Sequence, residues 1–457
     1  MQNKAALHLL HTGVLFCTGI VPLSFLYAPA HAQDIDDGLL SSQTLPNFIV
    51  IVVDDLRWDE LGIEDHPYLE TPNIDRLAVE GVRFQNAFHL TPLCSPNRAS
   101  ILTGQYPSRH GIIDNVARNV ASHGLLTFPQ VLQRAGYETA FVGKWHMGND
   151  PTPRPGFDHW AGLPGQGRTT DPELYEDGAL TVIEGYVTDI LTERALSVID
   201  QMRQRPFMLY LGHKAVHPDI IQRDDGSADP SSTGFNPAPR HRGRHAEDVF
   251  PRRENVVVSL DQLSGKPALL RALTLKNSEE MIEAHGFLPD FYTTEDLIRR
   301  RAEMMLAVDE GLGQILDALE RWEILDRTAI LFTSDNGYWY DEHGLADERR
   351  LPYEEGIRMP LLIRYPIAVP AGINPEELVS SVDIAPTILE LAGVTADSQM
   401  QGRSLVPLLS GSSGNWRDAC VDRVLLPRQF EAMAGRHGLS GGSDRSLQTD
   451  SLDSTSR

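Results

Sequence analysis

Residues Asn47–Val53, with the sequence NFIVIVV, are followed at once by two acidic residues, Asp54 and Asp55. An unbroken run of β-branched and apolar residues is typical of a parallel strand that is buried on both faces. The acidic pair would then lie at the carboxyl end of this strand, where open parallel sheets bind their ligands. This stretch therefore predicts both the kind of sheet and the edge that carries a site.

Further short apolar runs resemble the first one, and helical patterns lie between them. The helical period is clearest in Ile190–Met202 and Leu297–Leu319, each with one apolar face. Alternating strands and helices predict an α/β fold, a large and mostly parallel sheet flanked by helices. The additional predicted strands are Thr139–Val142, Phe207–Leu211, Ala329–Thr333 and Leu361–Ile363.

Composition limits the class of protein. The chain has 457 residues, 41% of them hydrophobic, and a net charge of −23. This length fits a large domain with a smaller appendage. The negative charge argues against nucleic acid as the main partner, although a basic pocket for a small anion remains compatible with it.

The first 32 residues have the pattern of a secretory signal peptide. Lys4 is the only charged residue before Asp34, an apolar stretch follows over Val14–Tyr27, and Ala30-His31-Ala32 fits a cleavage site. An uncleaved membrane anchor is the alternative. No other stretch is apolar enough to span a membrane, so we expect an exported protein, periplasmic or secreted, without a stable membrane span.

Polar groups follow four of the predicted strands, and the carboxyl ends of parallel strands meet at one edge of a sheet. Their convergence predicts an active site there. Oxygen ligands suit calcium or magnesium better than zinc, whereas capping of the following helices is the plain alternative. The groups are Asp54 and Asp55, Lys144 and His146, His213, Lys214 and His217, and Asp335 and Asn336.

Cys94 begins the stretch CSPNRASILTG, which ends at Gly104. Taken alone, a cysteine before a helix indicates either an activated thiolate or a buried structural residue.

The stretch resembles the signature of the sulfatase family, Cys-x-Pro-x-Arg followed by Thr-Gly. The family's second signature is matched by Gly136–Thr139 and Val142–His146, and matching segments extend from Asn47 to Asp418. His213–Pro218 and Asp335–Tyr353 resemble the branch that includes iduronate sulfatase. The resemblance implies the alkaline phosphatase-like fold.

The resemblance also implies a mechanism. In sulfatases the motif cysteine is oxidised to formylglycine by a separate formylglycine-generating enzyme, so Cys94 would not form a disulfide with Cys420. One hydroxyl of the hydrated aldehyde attacks sulfur and expels the alcohol. Deprotonation of the second hydroxyl then reforms the aldehyde and releases sulfate.

Roles carry over by resemblance to matching positions. Arg98 would orient the modified residue, Lys144 would bind sulfate oxygens, His146 would act as the base and His217 as the proton donor. Arg349, where many members have lysine, and Lys214 would contact the substrate. Calcium would be held by Asp54, Asp55, Asp335, Asn336 and the modified Cys94.

We expect a catalytic domain over residues 33–418, with a surface insertion at 219–288. Family members continue into a small antiparallel sheet, but the residues after Asp418 lack an alternating pattern. The sequence therefore predicts that this sheet is truncated or degenerate and that residues 419–457 form an atypical, disordered tail.

The resemblance predicts a sulfuric ester hydrolase acting on a sulfated carbohydrate or an aryl sulfate. Phosphoester or phosphonate monoester hydrolysis on the same scaffold is an alternative, although a second metal site is not evident. A catalytically inactive protein that binds sulfated glycans is the other alternative, because the C-terminal segment is atypical.

Overall fold

The computed structural model describes residues 45–419 except 222, 226–233, 258–259, 267–292, 346–351 and 413. The predicted signal peptide, Arg349, Cys420 and all but the first residue of the predicted tail lie outside the described residues. So does a large part of the predicted insertion at 219–288.

A nine-stranded sheet in the order β2-β10-β9-β1-β8-β4-β5-β6-β7 is the centre of the fold. Its five inner strands, from β9 to β5, are parallel, and the outer strands on both sides are antiparallel. β3 and β11 form a separate parallel pair. The strands are β1 Asn47–Val53, β2 Val82–Arg83, β3 Ala87–Phe88, β4 Glu138–Lys144, β5 His159–Leu163, β6 Glu173–Glu176, β7 Ala179–Val182, β8 Phe207–Gly212, β9 Thr328–Ser334, β10 Leu361–Arg364 and β11 Val379–Ser380.

Helices cover both faces of this sheet, which confirms the predicted α/β architecture. The α-helices are α1 Pro72–Val79, α2 Cys94–Thr103, α3 Pro107–His110, α4 Asn119–His123, α5 Phe128–Arg134, α6 Val187–Met202, α7 Glu295–Arg321, α8 Glu354–Ile357, α9 Ile384–Leu391 and α10 Val406–Leu409. Short 3₁₀ helices occupy Gly62–Glu64, Leu260–Leu263 and Ser381–Asp383.

β1 shows why a wholly apolar strand forms here. Alternate side chains enter two separate cores, because successive side chains of a strand point to opposite faces. Ile49 and Ile51 pack in the core beneath α1, α6 and α7, whereas Phe48 and Val50 pack in the core beneath α2, α5 and α9. Both faces of β1 are therefore buried, as the sequence predicted.

All the predicted strands are present, but Leu361–Ile363 belongs to a strand that runs antiparallel to β9. Only the four-residue helix α8 lies between β9 and β10 in the described residues. A parallel return usually runs through a long crossover helix, and the described residues of this segment contain none.

α7 carries the methionine-containing stripe predicted from the sequence. Met304, Met305 and Leu312 are buried in the core on the α6 side of the sheet, so the stripe is a packing surface. No helix in the described part of the chain combines the length and apolar character needed to cross a membrane.

The described part of the predicted insertion is anchored to α6 and α7. Ala238 is buried with Tyr186 and Ala307. Arg240 forms ion pairs with Asp189 at 2.6 Å and with Glu310 at 2.8 Å. These contacts join the segment after Gly234 to the main domain, while a role for the whole insertion in shaping the substrate entrance stays a prediction.

His110, at the end of α3, gives a prediction about stability and pH. Its Nδ1 accepts from the Ile112 amide at 3.1 Å, and its Nε2 lies 3.1 Å from Ser100 Oγ. Burial lowers its pKa to about 4. The unfolded chain therefore binds the proton between pH 6.5 and 4 while the folded chain does not, and stability is lost as the pH falls through this window.

We expect His110→Gln to weaken the pH dependence of unfolding, by up to about 1.4 kcal/mol per pH unit in that window. Urea denaturation at several pH values between 7 and 4 measures it. An unchanged dependence in the variant would contradict the lowered pKa of His110 in the folded protein.

Candidate active site

The carboxyl ends of β1 and β9 place four oxygen-bearing residues together. The strands pair in register up to Val53 and Ser334. The backbone amide of Asp55 donates to Asp335 Oδ1 at 3.0 Å, and Asn336 Nδ2 lies 2.7 Å from Asp55 Oδ1. All four residues that follow these strands are fully buried. The predicted acidic cluster is therefore present at the predicted edge.

Cys94 is the first residue of α2 and is fully buried. Its sulfur, a carboxylate oxygen from each of Asp54 and Asp55, and a ring nitrogen of His217 all lie within 4.8 Å of one another. Asn115 Oδ1 accepts from the next amide, that of Ser95, at 3.1 Å. The structure thus brings together the nucleophile position and part of the predicted metal site.

The residues fit a hard cation. Oδ1 of Asp54 and Oδ1 of Asn336 are buried and have no hydrogen-bond partner among the described residues. Burial and the neighbouring Asp335 raise the pKa of Asp54, an effect that Lys144 and Arg98 oppose. Buried oxygen atoms without a donor are costly, and a bound cation would satisfy them.

Arg98 joins two strand ends to α2. Its Nε donates to Asp335 Oδ2 at 2.7 Å, and its Nη1 donates to the carbonyl oxygen of Lys144, also at 2.7 Å. The guanidinium is fully buried, and the Asp335 and Asp54 carboxylates raise its pKa above the usual range. Such a fixed, permanently charged group is suited to holding Asp335 and the end of β4 in position relative to α2.

Lys144, the last residue of β4, points its ammonium group into the same cluster. It donates to Asp54 Oδ2 and to Gln166 Oε1, and the side chain is fully buried. His146 follows two residues later with a φ of 59°, and Ser95 Oγ donates to its carbonyl oxygen. Both predicted residues therefore lie beside the start of α2.

Lys214 contacts a catalytic candidate rather than lying apart from it. Its Nζ lies 2.9 Å from His217 Nδ1 and donates to Pro218 O at 2.6 Å. Burial and the nearby Lys144 lower the pKa of Lys214 to about 7. His217 Nε2 lies on the other side of the ring, 3.8 Å from Asp55 Oδ2. Lys214 is thus placed to orient the imidazole of His217.

The thiol of Cys94 is an unfavourable nucleophile as it stands. Burial raises its pKa well above the usual value, and the carboxylates of Asp335, Asp54 and Asp55 act in the same direction, against Lys144. The thiolate is the reactive form of cysteine, so this environment disfavours direct thiolate chemistry.

Several residues of the site were not singled out from the sequence. Gln166 follows β5 between Gly165 and Gly167, which both have positive φ values, 51° and 69°. A polar residue between two glycines at a strand end was the available signal. Arg301 of α7 donates to the carbonyl oxygen of Asp55 at 2.6 Å and to Glu60 Oε2 at 2.6 Å, and a long amphipathic helix gives no sign of such a contact.

This arrangement suits one class of chemistry, the hydrolysis of an ester whose charged oxygen atoms need cationic partners. The family model described as Sulfatase matches residues 46–394, which is more than half of the chain. The chain belongs to the sulfatase family, and it is a sulfatase enzyme.

Two similar proteins illustrate the relationship. N-acetylglucosamine-6-O-sulfatase of Bacteroides thetaiotaomicron is 34% identical over 431 residues, covering 82% of this chain and 73% of the relative. Human N-acetylgalactosamine-6-sulfatase is 29% identical over 408 residues, covering 80% of this chain and 66% of the relative.

Solved structures agree with the fold. A protein in complex with its substrate D-glucosamine-2-N,6-O-disulfate superposes with a TM-score of 0.68 at 32% identity, covering 82% of this chain and 83% of that chain. The phosphonate monoester hydrolase of Agrobacterium radiobacter superposes with a TM-score of 0.63 at 23% identity, covering 82% and 78%, and this shows the fold alone.

Proposed function

We propose that this sulfatase releases inorganic sulfate from the 6-O position of a glucosamine-type sugar, using a formylglycine made from Cys94 and a bound calcium ion. The observation that carries the chemistry is the cluster of Cys94 with Asp54, Asp55 and His217 within 4.8 Å. The sugar is inferred from the names of two relatives, a bacterial N-acetylglucosamine-6-O-sulfatase and a protein solved with D-glucosamine-2-N,6-O-disulfate.

When present, the formylglycine would supply a hydrated aldehyde as nucleophile, and calcium would supply positive charge for the sulfate oxygens. Asp54, Asp55, Asp335 and Asn336 would hold the cation beside residue 94. The unpartnered oxygen atoms of Asp54 and Asn336 support this assignment.

The protein's own side chains divide the remaining work. Arg98 holds Asp335 and β4 in place through its two hydrogen bonds. Lys144, with Gln166 beside it, provides a cation for a sulfate oxygen. His146 would accept a proton from the hydrated form of residue 94, and His217 would give a proton to the leaving oxygen, roles that suit imidazole near neutral pH.

The contacts of His217 support a role for Lys214 in orienting the imidazole. Nδ1 lies 2.9 Å from Lys214 Nζ and 2.8 Å from the carbonyl oxygen of Pro218, which also accepts from Lys214. Nε2, on the other side of the ring, is the nitrogen that faces Asp55 and could pass a proton to the leaving group. Lys214 would thereby act on the reaction through His217 rather than by contact with sulfate.

Export through the N-terminal 32 residues to the periplasm or the medium also belongs to the proposal. A formylglycine-generating enzyme is then the required partner during maturation. Two curated relatives bear names of extracellular sulfatases, one from Caenorhabditis elegans and one from Drosophila melanogaster, which is compatible with export.

The test uses purified protein whose peptide containing Cys94 has been shown by mass spectrometry to carry the aldehyde. We expect sulfate release from N-acetylglucosamine 6-sulfate, and much slower release from the 3-sulfate isomer, an aryl sulfate and a phosphonate monoester. Preference for the aryl sulfate would contradict the sugar assignment. Preference for the phosphonate ester would contradict the proposed reaction.

A further inference from the structure

Asn97 connects three parts of the fold through one side-chain amide. Its Nδ2 donates to the carbonyl oxygen of Asp335 at 2.9 Å and lies 2.8 Å from His89 Nδ1. Its Oδ1 accepts from Ser381 Oγ at 2.6 Å. The amide is fully buried, so these bonds form without competition from solvent.

The carbonyl of Asp335 fixes the direction of the whole chain of hydrogen bonds. A carbonyl oxygen only accepts, so the nitrogen of Asn97 must face it. The same nitrogen then donates to His89 Nδ1, which leaves the His89 proton on Nε2, 3.4 Å from Ser334 Oγ. Ser381 must in turn donate to the remaining amide oxygen. Every bond has one consistent direction.

Arg98, which follows Asn97 in the sequence, holds the side-chain carboxylate of Asp335. Arg98 Nε donates to Asp335 Oδ2 at 2.7 Å, while the Asp55 amide donates to Oδ1 at 3.0 Å. The carbonyl and the carboxylate of Asp335 are therefore held by two consecutive residues of α2, Asn97 and Arg98. Because α2 begins at Cys94, this helix links the nucleophile position to a proposed metal ligand.

We propose that Asn97 is a positioning residue that sets the location of Asp335 and Asn336 relative to Cys94, and thereby the affinity of the site for its cation. The Cys-x-Pro-x-Arg motif leaves this position open, so the motif itself does not assign the role. The inference rests on the calcium site of the proposed function.

The experiment is calorimetric titration of calcium into metal-free wild type, Asn97→Ala and Ser381→Ala, at an equal measured aldehyde content. Ser100→Ala is the matched control, because Ser100 lies in α2 as Asn97 does. The substitution removes a buried hydrogen bond to His110 and leaves the contacts of Asp335 unchanged. We expect the calcium dissociation constant to rise about 10- to 100-fold in Asn97→Ala. Ser381→Ala, which removes one partner of the amide, should raise it about threefold.

The outcomes separate the two proposals. Wild-type affinity in Asn97→Ala, or an equal change in Ser100→Ala, overturns the role of Asn97 while leaving the metal site intact. If Asn97→Ala does not fold, an unchanged constant in Ser381→Ala overturns it. Absence of calcium binding in the wild type overturns the proposed metal site, and this inference with it.

Discussion

Replacing Cys94 by alanine is expected to lower kcat for sulfate-ester hydrolysis by roughly 10⁴- to 10⁶-fold, the range found when an enzyme loses its nucleophile. The side chain is small and occupies the first position of α2. The first helical turn is closed by the backbone, because the amide of Asn97 donates to the carbonyl oxygen of Leu93 at 3.1 Å. Alanine can occupy this position without strain, so the loss should be chemical. Circular dichroism checks that the fold is retained, and steady-state kinetics on the same sample measures kcat.

The Cys94→Ser variant extends this result. A serine cannot become the aldehyde through the usual maturation of cysteine and has no second hydroxyl to release sulfate, so we expect a single turnover at most. The Ser100→Ala variant, in the same helix, should keep nearly wild-type turnover. Full activity in Cys94→Ala would contradict a covalent mechanism at this residue.

The sheet edge was predictable because strand and helix periods are local properties of the chain. The run before Asp54 and the run before Asp335 each had the composition of a buried parallel strand, and parallel strands bring their carboxyl ends to one edge. The direction of β10 was not predictable in this way, since it depends on how the chain returns after the site.

Contacts between the polar side chains were less predictable. Lys214 follows β8 as expected, but only the backbone path through His217 shows that its ammonium reaches the imidazole. Gln166 and Asn97 act across large sequence separations, and their partners depend on strand register and helix placement. Local sequence patterns carry no information on such pairings, so a motif can indicate Arg98 and miss Asn97 beside it.

Asp54→Asn is expected to raise the calcium dissociation constant roughly 100-fold or more and to lower kcat/KM by about 10³-fold, because it removes the negative charge of a proposed calcium ligand. The amide has nearly the same size as the carboxylate, but it offers one oxygen atom instead of two. Lys144 donates to Oδ2 of Asp54. In the variant the Lys144 ammonium group would donate to the single amide oxygen of residue 54, and the amide NH₂ group would then face the cation.

Asp309→Asn is the matched control for Asp54→Asn, because it makes the same change at another buried carboxylate. Asp309 lies on α7 and accepts from the amides of Asn73 at 3.0 Å and Ile74 at 2.9 Å. Its substitution should lower the melting temperature and leave calcium affinity unchanged. If both variants bind calcium as the wild type does, the cation is not held by Asp54. If both lose it equally, the loss reflects general destabilisation, and only a loss confined to Asp54→Asn supports direct ligation.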